Sequence, residues 1–239
     1  MLSWNERAEE FARHAGASVY ADAFIDYLAL PPAQHILDMG SGSGTLAVPL
    51  ARAGHRLLAA DFSPRMLEVL EQRATDEGLA NIRTTLLDFN APWEQWETAG
   101  ITEGCVDVAI ASRSTMVDDL AAAFEKLERA ARTKVAVTMA TEFSPRGIKR
   151  TGRSYENDPD FVPDFIFALN ILLQTGRYPE LRFIDSYKPE PPNTEQGAGL
   201  PTSQGKGDDM RQSTGQVAGQ VVGQGTARLI RWAFLSWRV

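Results

Sequence analysis

Three aspartates and a run of alternate glycines are the residues in this chain best suited to chemistry. The stretch HILDMGSGSG, residues 35–44, sets Asp38 two positions before Gly40, Gly42 and Gly44. Glycines there permit positive φ and let main-chain N–H groups come close to a ligand. Asp38 lies inside the preceding apolar run, where a carboxylate without a partner is costly. Beside a ligand ammonium it is at home. Asp61 closes the next apolar run, RLLAAD, 17 residues after Gly44. A carboxylate there can accept from both hydroxyls of a ribose. Asp88 and Phe89 close a third run, LLDFN. Asp88 can accept from an adenine amino group, and Phe89 can pack on the ring. The set suits an adenosine ligand whose other end is cationic.

The glycine spacing alone leaves the nucleotide open. The dinucleotide fingerprint G-x-G-x-x-G read from Gly40 fails at Thr45. Read from Gly42 it takes Gly44 and then meets Ala47. That second register keeps a nicotinamide-dependent oxidoreductase as an alternative, although Asp38 is badly placed beside a pyrophosphate. No G-K-[ST] follows, so there is no Walker loop.

The elements that must position these residues alternate along the chain. HILDM, RLLAAD, IRTTLLD, CVDVAIAS and KVAVTMA read as strands. Helices are expected at GTLAVPLARAG up to Gly54, at SPRMLEVLEQRATDEG with Ser63 as N-cap, Pro64 first and Gly78 as stop, and at VDDLAAAFEKLERAAR. Such alternation makes βαβ units and a parallel sheet, and strands this apolar are covered on both faces. Residues 4–30 read as two helices, residues 142–160 as a polar loop, PDFIFALNILLQTG as a helix, and LRFIDSYK and ARLIRWAFLSWRV as two late strands. A Gly/Gln-rich insertion at about 193–226 carries STGQ, VAGQ and VVGQ in register. Its apolar content is too low for a core of its own. The expected organisation is a helical cap at 1–32 and a nucleotide-binding domain at 33–239.

Composition bounds the partners. The 239 residues carry a net charge of −7, with 44% hydrophobic and 23% charged residues. That is a globular composition, and its acidity argues against a general nucleic-acid or anionic-membrane binder. The single cysteine, Cys105, allows no internal disulfide and suits a cytoplasmic, reducing setting; its run suggests a buried structural thiol. Three scattered histidines give no metal-ligand spacing. No run approaches the ~20 apolar residues of a membrane span.

LDMGSGSGTLAVPLA, AADFSPRMLEVL, LLDFNAPW and GCVDVAIAS resemble, in order and spacing, the motifs of class I S-adenosylmethionine-dependent methyltransferases. WNERAEEF resembles the N-terminal helix with which many small-molecule members cap the cofactor. The resemblance implies a doubly wound α/β fold: a seven-stranded, mostly parallel sheet of order 3-2-1-4-5-7-6, its last strand antiparallel, with helices on both faces. It implies cofactor contacts at Asp38, Gly40, Ser41, Gly42, Gly44, Asp61, Phe62, Met66, Asp88, Phe89 and Ala111, Met66 serving equally well as core. Members acting on nucleic-acid or protein amide nitrogens carry N/D-P-P-Y/F after the fourth strand. Here ASRSTMVDD stands instead, which points to a small-molecule acceptor. The histidine that many small-molecule members place there is absent too. Ser112, Arg113, Ser114 and Thr115 fall nearest the expected methyl group. Arg113 either pairs with an acidic substrate or answers Asp118 or Asp119. Glu142 is a base, an anchor or a surface carboxylate. Arg146, Lys149, Arg150 and Arg153 form a cationic lid or a solvated loop, and Tyr20 and Phe24 line the pocket or pack the core. A cofactor-binding protein without transferase activity is the remaining alternative.

Overall fold

The structure, a computed structural model, describes residues 18–141, 162–189 and 227–239. The expected N-terminal helix at 4–12, the polar loop at 142–160 and the Gly/Gln-rich insertion lie outside them. The chain divides into two compact units, Met1–Ser186 with Ile230–Val239, and Tyr187–Leu229. Of the second, the described residues 187–189 and 227–229 are all in strand.

Three of the described helices start where a side chain satisfies a free N–H group. Helix α1 (Val19–Leu28) is capped by Ser18, which accepts from the Ala21 N–H. Strand β1 (His35–Met39) runs into the glycine loop. Helix α2 (Ala47–Arg52) begins three residues later than the sequence suggests, because Gly44, at φ +85°, stays in the loop. Strand β2 (Arg56–Asp61) leads to α3 (Pro64–Asp76), where Ser63 accepts from the Met66 N–H as expected. Strand β3 (Ile82–Leu86) is followed by α4 (Trp93–Thr98), a short helix the sequence pattern did not announce.

Strand β4 (Val106–Ser112) precedes α5 (Leu120–Ala130), capped by Asp119. Strand β5 (Ala131–Ala140) then starts with no intervening turn. The expected helix ran further, to the basic pair. Arg132 explains the difference: its guanidinium donates to Asp107 Oδ1 and Gly104 O, which ties the chain to β4 where Ala131 pairs with Val106, ahead of a register shift and regular pairing from Lys134. Helix α6 (Asp164–Gln174), β6 (Glu180–Pro189) and β7 (Ala227–Arg238) complete the series.

The sheet has the order β3-β2-β1-β4-β5-β7-β6. The pairs among β1 to β5 are parallel, and β7 runs antiparallel to β5. The doubly wound expectation is met in full. Side chains alternate between the two faces of a strand, and the core divides accordingly. Ile36, Val108, Ile110, Ala136 and Phe234 face α1, α2 and α3. Leu37, Met39, Ala109, Ala111, Val135 and Val137 face α4, α5 and α6.

Phe24 anchors α1 to the first face. It is fully buried, with its ring edge-on to Phe234 at 5.1 Å and tilted against Tyr20 at 6.3 Å. Removing a ring from such a site leaves a cavity as well as losing burial. Phe24→Ala is expected to lower unfolding free energy by about 3–5 kcal/mol in urea titrations, against under 1 kcal/mol for alanine at the exposed Val19.

Candidate functional site

The carboxyl ends of β1, β2, β4 and β5 converge on one region, where ligands bind in open parallel sheets. The glycine loop is tied across the sheet there. Gly40 and Ser41 both donate from their N–H groups to Ala60 O, at 2.7 and 3.0 Å. Gly42 donates its N–H to Asp61 Oδ2 at 2.8 Å, while Ser63 N–H donates to Oδ1 at 2.9 Å. The Phe62 N–H also donates to this carboxylate, which leaves it a lone-pair direction for a ligand.

Two glycines are required by close approach. A Cβ on Gly40 (φ +76°) would lie 2.2 Å from Ser114 Cβ, and Ser114 is fixed by donating its hydroxyl to Met39 O at 2.7 Å. A Cβ on Gly44 would lie 2.3 Å from Leu70 Cδ1. Gly42 differs, since a Cβ there would meet nothing within 4 Å, so its side of the loop is open. Beside it, Ser41 Oγ and Ser43 Oγ are buried with no hydrogen-bond partner among the described residues. Buried hydroxyls are normally paired. An open loop flanked by two unpaired hydroxyls fits the polar amino-acid end of a ligand.

Asp38, at the end of β1 just before this loop, is 2% exposed. Its pKa is pushed up to about 7, mainly by burial, then by the Asp61 charge, with Arg113 pulling the other way. Asp61 is also raised by burial, which N–H donation from Ser63, Gly42 and Phe62 partly offsets. Two buried carboxylates side by side disfavour each other's ionised form. A cation between them would reverse that.

The ends of β4 and β5 carry a second cluster. Tyr20, from α1, places its Oη 2.6 Å from Ser112 Oγ and 2.5 Å from Thr138 Oγ1. Arg113 donates its main-chain N–H to Thr138 Oγ1 at 3.1 Å and adopts φ +56°, a strained conformation for arginine. Its guanidinium stacks 4.3 Å over the Tyr20 ring and 5.7 Å from that of Trp232. The anticipated pairing of Arg113 with Asp118 or Asp119 does not occur, since Asp119 caps α5 and Arg113 faces α1 instead. Strand alternation explains the grouping. Asp38, Ser112 and Thr138 follow Ile36, Ile110 and Ala136 by two positions, Trp232 precedes Phe234 by two on the antiparallel strand, and all share one face. Burial raises the Tyr20 pKa, so the phenol stays protonated and is no base. The sequence reading missed Thr138 and Trp232; a lone hydroxyl in VAVTMA was the available signal.

The remaining candidates divide. Phe62 is 53% exposed and joins Leu86, Asp88 and Gln95 around an open groove beyond β2 and β3. Asp88 is exposed, and its Oδ1 accepts from the Asn90 N–H at 2.8 Å. The Phe89 ring is buried against Trp96 at 5.7 Å, among the residues on the opposite face of the sheet. The methyl of Ala111 is buried on that same face, which leaves its main chain to face the site. Met66 is buried, with its N–H on the Ser63 hydroxyl. Cys105 is half-buried just before β4. Glu142, Arg146, Lys149, Arg150 and Arg153 lie outside the described residues. Among the described residues no cluster of histidine, cysteine or carboxylate suits a metal, and no helix is long and apolar enough to cross a membrane.

Comparison with known proteins agrees with this geometry. Residues 36–134 match the family described as "Methyltransferase domain". An uncharacterized protein of Haemophilus influenzae is 34% identical over 191 residues, covering 77% of this chain and 67% of that protein. Shorter matches include a ubiquinone/menaquinone biosynthesis C-methyltransferase of Zymomonas mobilis, 36% identical over 27% of this chain and 26% of its own length. They also include a 23S rRNA (uracil-C5)-methyltransferase of Shewanella sediminis, 30% identical over 28% of this chain and 15% of its own. Among solved structures, a SAM-dependent methyltransferase from Aquifex aeolicus superposes over all of both chains with a TM-score of 0.61 at 12% identity, a likeness of fold.

The raised Asp38 pKa has a consequence for stability. Between an unfolded value of 3.8 and a folded value of about 7, the folded protein holds the extra proton. Its stabilising effect is therefore full below the unfolded value and is lost as pH rises through the folded one. The thermal midpoint of the ligand-free protein is expected to fall between pH 5 and 8, and Asp38→Asn should flatten that fall in scans taken at half-unit pH steps.

Proposed function

We propose that this chain, which belongs to the class I S-adenosylmethionine-dependent methyltransferases, transfers a methyl group to a small-molecule acceptor. S-adenosylmethionine supplies a methyl group already activated on a sulfonium. The protein's task is then to place a nucleophile in line with it, which is catalysis by proximity and orientation.

The carrying observation is the buried pair Asp38 and Asp61 around an open loop with two unpaired hydroxyls. In this reading Gly40, Ser41, Gly42 and Gly44 line the amino-acid half of the cofactor. Asp38 answers its ammonium, and Asp61 accepts from the ribose hydroxyls through the lone pairs its main-chain donors leave free. Phe62 and Asp88 border the base, with Met66 closing the floor and Ala111 contributing main chain alone. The nicotinamide alternative is set aside. Ala47, at its third-glycine position, opens α2 and is fully buried, and a carboxylate at Asp38 would repel a pyrophosphate.

No residue need act as a base. Tyr20 is neutral, and no histidine follows β4. Ser112 and Arg113 stand at the acceptor side, with roles in placement rather than proton transfer. The small-molecule reading is supported by the missing N/D-P-P-Y/F sequence. The rRNA methyltransferase match keeps a nucleic-acid acceptor as a second reading, although it spans a minor part of both chains.

Calorimetry with S-adenosylhomocysteine should show one site per chain. Asp61→Ala should weaken it about tenfold to a hundredfold, the effect of about 1–3 kcal/mol from lost hydrogen bonds to a charged group. Incubation with methyl-labelled cofactor should place label in the small-molecule fraction of a cell extract. Label confined to the RNA fraction would support the second reading instead, and no binding of S-adenosylhomocysteine would overturn both.

A further inference from the structure

The Arg113 guanidinium is the one feature of this region that cofactor binding does not absorb. Its backbone is held in a left-handed conformation unfavourable for arginine, fixed by the Thr138 hydroxyl. Its side chain lies flat on a fully buried phenol ring, with a second ring 5.7 Å away. Arginine at protein surfaces ordinarily finds a carboxylate, as Arg52, Arg132, Arg177 and Arg231 do here. Arg113 has no ion-pair partner among the described residues. The buried Asp38 feels its charge, but no contact joins the two. The residue is nonetheless exposed, so one face of the guanidinium and its outer N–H groups are open to a ligand.

Strain, aromatic backing and a missing anion together describe a pre-organised anion receptor. A planar guanidinium stacked on a ring loses little further freedom when its N–H fork meets two oxygens. Asp38 and Asp61 nearby disfavour a free anion deeper in the site, so the guanidinium sets where an anionic group stops. Resting on the methyltransferase reading above, we propose that Arg113 recognises an oxyanion on the methyl acceptor, a carboxylate or a phosphate, and that the Tyr20–Ser112–Thr138 hydroxyl cluster holds it in place for that purpose. The acceptor is thus an anionic small molecule, anchored by its charge beside the ends of β4 and β5. Arg113 is a positioning residue for the acceptor.

The test uses the full chain saturated with S-adenosylhomocysteine, titrated with benzoate, benzyl phosphate and neutral benzamide by calorimetry or ligand-observed NMR. Benzoate or benzyl phosphate, whichever matches the acceptor's group, is expected to bind at least tenfold more tightly than benzamide. Arg113→Gln should abolish that preference while leaving the affinity for S-adenosylhomocysteine within twofold. Tyr20→Phe keeps the ring but removes the hydroxyl, and should weaken the preferred anion by severalfold. Equal binding of all three probes overturns the proposal. So does a tenfold loss of S-adenosylhomocysteine affinity in Arg113→Gln, which would place the guanidinium on the cofactor. Failure of the wild-type chain to bind S-adenosylhomocysteine instead overturns the methyltransferase reading itself.

Discussion

The hydrogen bond from the Gly42 N–H to Asp61 Oδ2 ties the loop after the first strand to the carboxylate that ends the second. Most of the site depends on it. It turns the glycine loop back over β2, where the Ala60 carbonyl takes two more N–H groups. It leaves the open side of the loop facing outward. It also holds the Asp61 carboxylate in a part-buried, multiply hydrogen-bonded setting that still leaves it a lone pair to offer. The same contact shapes the backbone cradle and aims the carboxylate that lies across from it.

The price of this arrangement is two acidic groups held out of water near each other. Asp38 bears most of it and sits near its own titration point at neutral pH. A site designed only for stability would replace it with an apolar residue. Its burial beside unpaired hydroxyls leaves the ligand-free state electrostatically incomplete, which under the proposed function a cofactor ammonium would complete. The second cluster answers with the opposite sign. Arg113 stands over Tyr20 at the ends of β4 and β5, so the region grades from anionic at the loop to cationic at the rim. A donor with a positive end and an acceptor with a negative one would be drawn to opposite sides of the same crevice.

Much of this was legible in the residues. Alternating apolar runs located the five parallel strands within a few positions, and Ser63-Pro64 marked the start of α3. Asp38, Gly40, Gly42, Gly44 and Asp61 stood out because their types are hard to explain as core. Other elements were not legible, for physical reasons. Helix α4 is under two turns long, too short for a periodic signal, and is held by burial of Trp96 rather than by propensity. The break between α5 and β5 has no glycine or proline, because Arg132 makes it through contacts with Gly104 and Asp107, remote in sequence. The Tyr20, Ser112, Thr138 and Trp232 group joins residues from four elements, and only strand pairing brings them together. Phe89 follows β3 rather than ending it, and its ring packs on Trp96, a contact that LLDFN alone does not show.

The central claim is that Asp38 answers a cation carried by the cofactor. Calorimetry of S-adenosylhomocysteine binding near pH 6.5, in buffers of different ionisation enthalpy, counts the protons exchanged on binding. The account predicts net proton release from the wild-type chain, since the ligand ammonium drives Asp38 to its ionised form, and none from Asp38→Asn. Binding with no proton released, or with release unchanged in Asp38→Asn, would contradict it.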